Sequence, residues 1–248
     1  MKIALTVIML AFISLAHAQH HETRKIGNIS GISVASGIQT KFIKSSKNEV
    51  VVDVSRQDLL NKIETVVKAG NLQIRVKRGS NIRGNNSMKV TVYSNSSIES
   101  IAVSSAGTLE ILDPISVNNF SADMSSAGKL KTGKVEATSS EINLSSAGKM
   151  SGELKTEKLA INASSSGELT LSGMAKQTTV NMSSNGKALL QNFKTSNLTV
   201  NGSSGAGLKI NVSNELNANV SSGAKVEYSG NPKSKSVNHS SGGSVSQL

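Results

Sequence analysis

Four lysines, Lys129, Lys149, Lys187 and Lys225, each stand four residues after the first serine of a Ser-Ser pair, and the pairs recur at nearly constant intervals. A cation repeated in this way suits contact with a polymer that repeats its own negative charges, such as acidic polysaccharide or lipopolysaccharide. Lys131 and Lys134 lie nearby, and a second basic cluster comprises Arg75, Lys77, Arg78, Arg83 and Lys89. The alternative role for such lysines is to solubilise the molecule and to blunt strand edges.

Catalytic chemistry has few candidates. Beyond the first 18 residues the histidines are His20, His21 and His239, so a Ser-His-Asp arrangement lacks a base placed among other reactive groups. Four Asp and twelve Glu form no Asp-x-Asp or Asp-Asp cluster, and the neighbours Glu110 and Asp113 beside Pro114 read as a turn and a solvated strand face. His20-His21 reads as a chain terminus rather than a copper or zinc site. Cysteine is absent, which excludes a disulfide framework, a thiolate nucleophile and Cys-ligated zinc. No phosphate loop, dinucleotide fingerprint or metalloprotease motif is present, so the expectation is no enzyme, no metal and no cofactor.

Charge and address point the same way. Lys and Arg number 27 against 16 Asp and Glu, a net +11. Met1 to Ala18 combines Lys2, an apolar run from Ile3 to Leu15 and the small-x-small site Ala16-His17-Ala18, the pattern of a cleaved secretory signal. The run is shorter than the roughly 20 residues a spanning helix needs, and no later segment qualifies. Export argues against nucleic acid as the partner of this basic chain; acidic polysaccharide, lipopolysaccharide or an envelope protein are the expected ones, in the periplasm or at the cell surface.

These side chains must be positioned by the repeat. Ser-Ser pairs begin at Ser104, Ser125, Ser145, Ser164, Ser183, Ser203, Ser221 and Ser240. Five residues after each first serine stand Leu109, Leu130, Met150, Leu169, Ala188, Leu208, Val226 and Val245, all apolar. Three before it come Ile101, Ala122, Ile142, Ile161, Val180, Val200, Ala218 and Val237; one before it the column is apolar until His239. The position between them reads Ala102 in the first copy and is polar from there on: Asp123, then Asn143, Asn162, Asn181, Asn201, Asn219 and Asn238. Alternation with period two is the mark of strands with one buried face. A unit of about 20 residues is too short for a propeller blade or a helical repeat, and predicts a parallel β-solenoid. Coils about 4.8 Å apart would give a rod of roughly 40 Å.

Continuing the same phase places the second serines, Ser105, Ser126, Ser146, Ser165, Ser184, Ser204, Ser222 and Ser241, inward as a hydroxyl ladder, with the following glycines supplying a bend and positive φ where it is needed. Asn143, Asn162, Asn181, Asn201 and Asn219 are expected to form an outward amide ladder. Asn143 and Asn162 also begin Asn-x-Ser tripeptides, which chance alone produces often in a chain with 43 Ser and 23 Asn.

The expected organisation is a signal peptide (1–18), a flexible N-terminus (19–25), a non-repeating β section (26–97) and repeated coils (98–248), the last two forming one domain. Within the β section, Lys62 to Val67 and Leu72 to Val76 flank Ala69-Gly70-Asn71 as a hairpin, preferred over the helical spacing that Leu59, Leu60, Ile63, Val66 and Val67 also fit, with a helical turn allowed near Asp58 to Asn61. Gly79 to Ser87 reads as an exposed loop, and Lys89 to Tyr93 as a strand.

Val34-Ala35-Ser36-Gly37-Ile38, Leu59-Leu60-Asn61-Lys62-Ile63-Glu64, Gly70-Asn71-Leu72-Gln73-Ile74, the serial Ser-Ser-Ala-Gly and Ser-Ser-Gly-Ala elements and Gly230-Asn231-Pro232 together resemble the autotransporter adhesin, head GIN domain family of exported bacterial proteins, common in Bacteroidetes. The resemblance runs from about residue 26 to 248. It implies an all-β, right-handed parallel β-helix like that of pectin lyases but without their catalytic residues, and a role in adhesion. This chain departs from the family in lacking a lipoprotein cysteine and in placing lysines where many members carry Asp or Glu after the glycine turn. The function expected is that of a non-catalytic adhesin or envelope-binding module. The alternatives are a periplasmic scaffold or envelope-stress protein and, further off, a carbohydrate-active β-helix enzyme.

Overall fold

The computed structural model describes residues 20–84 and 86–248, so the signal peptide expected at 1–18 lies outside the described residues. The described residues are nearly all β, 66% strand and 3% helix, wound into a β-solenoid of about 7 turns of roughly 20 residues each. Strands β1 (His20–Lys25), β2 (Gly31–Val34), β3 (Gln39–Lys44) and β4 (Glu49–Val54) precede a 3-10 turn at Gln57–Lys62. Then come β5 (Ile63–Lys68), β6 (Asn71–Val76), β7 (Met88–Ser94), β8 (Ser100–Val103) and β9 (Thr108–Ile111). The long strands are β10 (Ile115–Met124), β11 (Lys129–Leu144), β12 (Lys149–Ala163), β13 (Glu168–Met182), β14 (Lys187–Gly202) and β15 (Gly207–Val220), and β16 (Lys225–Ser229), β17 (Ser234–His239) and β18 (Ser244–Gln247) follow.

Successive coils pair in parallel, with equivalent positions opposite one another: Ile142 faces Ile161, then Val180, Val200 and Ala218. The apolar columns of the sequence are the core. Leu109, Leu130, Met150, Leu169, Ala188, Leu208 and Val226 are all buried, and Val245 in the last coil is half-buried. Each buried Leu, Ile or Val contributes about 1.5–3 kcal/mol relative to exposure, so the stack is held by the sum of similar rungs.

The corners differ from the expectation in an informative way. The second serines are exposed, not inward, and adopt the left-handed region: Ser105 has φ 47 and Ala106 φ 58, Ser126 φ 47 and Ala127 φ 61. Strict alternation stops here because two successive left-handed residues reverse the chain, and the fourth residue closes the turn by donating its N–H to the first serine's carbonyl, Gly107 to Ser104 at 2.8 Å. A ladder does run through the second serines, but through their backbone: the Ser126 carbonyl accepts from Ala106 N–H at 2.9 Å and that of Ser146 from Ala127 N–H at 2.9 Å. Buried hydroxyls meet at another corner, where Thr178 and Thr195 hydrogen-bond at 2.9 Å and Ser140 and Thr156 at 3.3 Å. Glycine's role at the fourth position is also different. Gly128 is not in the left-handed region; a Cβ there would overlap the Val103 carbonyl of the preceding coil, so its hydrogen side chain permits close approach.

The N-terminal section contains a coil that the serine pairs do not mark. β2 pairs in parallel with β8 and β3 with β9, joined by Ser36 (φ 63) and Gly37 (φ 67) in the corner conformation. β6 and β7 stack in parallel on β2 and β3, and this end is closed by antiparallel strands, β5 on β6 and β4 on β7. Residues 20–25 are not a flexible terminus: they form β1, antiparallel to β4 with His20 opposite Val54. Arg24 fixes β1 to the cap, donating to the carbonyls of Leu60 and Ile63 and to the Thr65 hydroxyl. The hairpin, the helical turn and the strand after the loop form where the sequence places them.

Candidate functional site

Lys129, Lys149, Lys187 and Lys225 are all exposed and lie in one outward column on the sheet that begins each coil. The register makes that column discontinuous. Lys129 lies beside Lys149, Lys149 beside Glu168, Glu168 beside Lys187, Lys187 beside Gly207 and Gly207 beside Lys225. Glu168 accepts from Lys149 at 2.7 Å, and Lys225 pairs with Glu227 at 2.9 Å. Lys129 and Lys187 have no ion-pair partner among the described residues.

The upper half of the column borders a groove of about 770 Å³ that crosses β3, β4, β7, β9, β11, β12 and β13. Two rows of outward side chains line it. One carries Lys89, Lys129 and Lys149; the other carries Lys41, Glu110 and Lys131. Asp53 and Glu168 complete its charges, so five lysines face three carboxylates. Lys187 and Lys225 lie outside it. Sequence spacing missed Lys41, because the coil formed by β2 and β3 lacks a Ser-Ser pair. Lys89 separates from the other members of its sequence cluster: Arg75 is engaged by Glu64 at 2.7 Å, whereas Lys89 joins the groove.

Glu110 organises the groove's centre. It pairs with Lys131 at 3.1 Å and Lys41 at 3.7 Å. The hydrogen bond from Lys131, aided by the charges of Lys131 and Lys41 and opposed by partial desolvation, holds its carboxyl below the usual carboxylate range. Asp113, its sequence neighbour, accepts from the Lys44 backbone N–H at 2.8 Å and so secures a turn.

A second groove, about 840 Å³, runs along the asparagines and first serines from Asp123 to Ser240. Asn162 donates to Asn143 at 2.8 Å, Asn181 to Asn162 at 3.1 Å, Asn201 to Asn181 at 3.0 Å and Asn219 to Asn201 at 3.3 Å. Asp123 receives the first amide, from Asn143 at 2.8 Å. His20 and His21 lie on β1 at the capped end, and His239 on β17 in the last coil. Among the described residues no group of three or more His, Cys, Asp or Glu could hold a metal, and no helix is long and apolar enough to cross a membrane.

Solved structures share this architecture. A "putative adhesin" from Parabacteroides merdae superposes with TM-score 0.77 at 17% identity, covering 93% of this chain and 96% of that one. A "putative adhesin" from Parabacteroides distasonis gives 0.77 at 17%, over 94% and 98%. A "putative lipid binding protein" from the same species gives 0.76 at 18%, over 93% and 96%. At these identities the likeness is one of fold. No curated protein matches the chain. Residues 28–232 match the family described as "Putative auto-transporter adhesin, head GIN domain", a span that takes in the cap, the unmarked coil and nearly all of the serine-cornered coils. The chain therefore belongs to the auto-transporter adhesin, head GIN domain family.

Proposed function

We propose that this protein is an exported, non-catalytic binding module of the bacterial envelope that holds a linear acidic glycan in the groove over Lys129 and Lys149. One observation carries the reading: five lysines from β3, β7, β11 and β12 converge on a single elongated groove, with Lys129 unpaired among the described residues. Coils about 4.8 Å apart set cations at intervals that a polymer with a charge on each sugar can follow. The carboxylates of Glu110 and Glu168 divide the lysines, which favours spaced charges over a dense polyanion. Surface cations in water act with modest strength, so affinity arises from many weak contacts and falls with salt. The adhesin family, and a structural relative named for lipid binding, fit a module that works by surface contact rather than by catalysis.

The test is calorimetric titration of the full chain with polygalacturonate at low and at high salt. Binding that weakens with salt, is lost in Lys129→Glu with Lys149→Glu and persists in Lys187→Glu with Lys225→Glu is the expected result. Equal loss in both pairs would assign contact to the whole column. Absence of binding, or binding indifferent to all four substitutions, overturns the reading.

A further inference from the structure

The two ends of the solenoid are built differently. At the N-terminal end the outermost strands are antiparallel and carry paired charges: β1 has the Arg24–Glu22 and Lys25–Glu49 ion pairs, and Glu64 of β5 pairs with Arg75 of β6. At the other end β17 pairs only with β15 and β18 only with β16, both in parallel, and among the described residues nothing pairs with their outer edges. Every residue of β17 is exposed. In a parallel ladder successive residues address opposite neighbours, so about half of the N–H and C=O groups of β17 face outward unbonded. An edge of this kind is a template for another strand.

The side chains over the core at this end are distinctive. Lys235, Val237 and His239 stack on Leu216, Ala218 and Val220, so where the coils below present apolar side chains the last presents an ammonium, a valine that is 39% exposed and an imidazole. Lys235 has no ion-pair partner among the described residues, and β18 carries no charge at all. A second copy meeting this end through a two-fold axis would set Lys235 and His239 against the same two side chains, with no acidic group between them. A strand with carboxylates four residues apart would instead meet Lys235 and His239 while a small apolar residue between them covered Val237.

We infer that the outer edge of β17 is a docking site for an extended acidic segment of a partner protein, added as one more strand with the pattern acidic-x-apolar-x-acidic. Its backbone completes the ladder, and its carboxylates accept hydrogen bonds from the Lys235 ammonium and the His239 imidazole. The site lies beyond the lysine groove, which ends at β13, so either can fail without the other.

The experiment measures fluorescence anisotropy of a labelled decapeptide alternating glutamate, threonine and valine so that it carries this pattern, against the full chain, with a control peptide in which lysine replaces glutamate. The acidic peptide is expected to bind and the lysine peptide not. Lys235→Glu with His239→Glu, both exposed, should weaken the acidic peptide about tenfold and admit the lysine peptide. Lys129→Glu with Lys149→Glu should leave both results unchanged. Binding of both peptides alike, or binding of the acidic one indifferent to the reversal at 235 and 239, overturns the proposal. So does a concentration-dependent dimer that excludes the peptide, which would assign the edge to a second copy.

Discussion

Lys149 and Glu168 face each other from adjacent coils, Nζ to Oε2 at 2.7 Å, and this pair divides the lysine column into a part that lines the groove and a part that does not. An exposed pair of this kind is worth little to stability but occupies a cation that a ligand would use. Glu168→Gln is therefore expected to leave the fold intact and to raise affinity for a sulfated polysaccharide about two- to fivefold at low salt, with the gain fading as salt is added. Titration calorimetry of the two proteins checks this, and unchanged or reduced affinity would remove Lys149 from the contact surface.

Acid titration reports on Glu110. Its folded carboxyl lies below the ordinary value of 4.5 because Lys131 hydrogen-bonds to it, so its contribution to stability is complete above that value and drains away as pH falls through the lower folded one. The same protonation releases Lys131 and Lys41. Affinity for a sulfated probe, which keeps its own charge in acid, should rise only below the ordinary carboxylate range, and Glu110→Gln should remove that component of the rise while binding more tightly at neutral pH.

The corner residues give a stability test whose order runs against intuition. Gly128→Ala should cost about 1–3 kcal/mol, because the new Cβ overlaps the Val103 carbonyl and the stack cannot part there without stretching adjacent rungs. Ala127→Gly should stay within about 1 kcal/mol of the parent, since relief of a left-handed alanine offsets the greater freedom of glycine when unfolded. Urea denaturation of both variants decides it; a mild Gly128→Ala would mean that the close approach is easily relaxed.

Placement in the cell follows from protease shaving of intact cells with a periplasmic marker as control. An envelope adhesin is digested while the marker survives. Protection until the outer membrane is permeabilised would put the protein in the periplasm and turn the search toward protein partners such as the acidic segment inferred for β17.

The coils were legible because burial imposes the same rule once per turn. Ile142, Ile161 and Val180 must all point inward at the same place, so they recur at the coil length, and the asparagine amides between them must all point out. The coil of β2 and β3 was illegible for the complementary reason: its corner, Ala35-Ser36-Gly37-Ile38, keeps the backbone conformation but not the serine pair, and a φ value leaves no unique signature in residue type.

The strand period, the solenoid, its coil length and the outward placement of the lysines are all written in the order of the residues, because these depend on local alternation repeated at fixed intervals. It takes the folded chain to turn the second serines outward, to pair residues 20–25 with β4, and to gather Lys41, Lys89, Lys129, Lys131 and Lys149 in one groove. Those outcomes depend on which coil lies against which, and on chain reversals at positive φ. Contacts between residues tens of positions apart are set by the stacking of whole coils and cannot be read from the neighbours of any one residue.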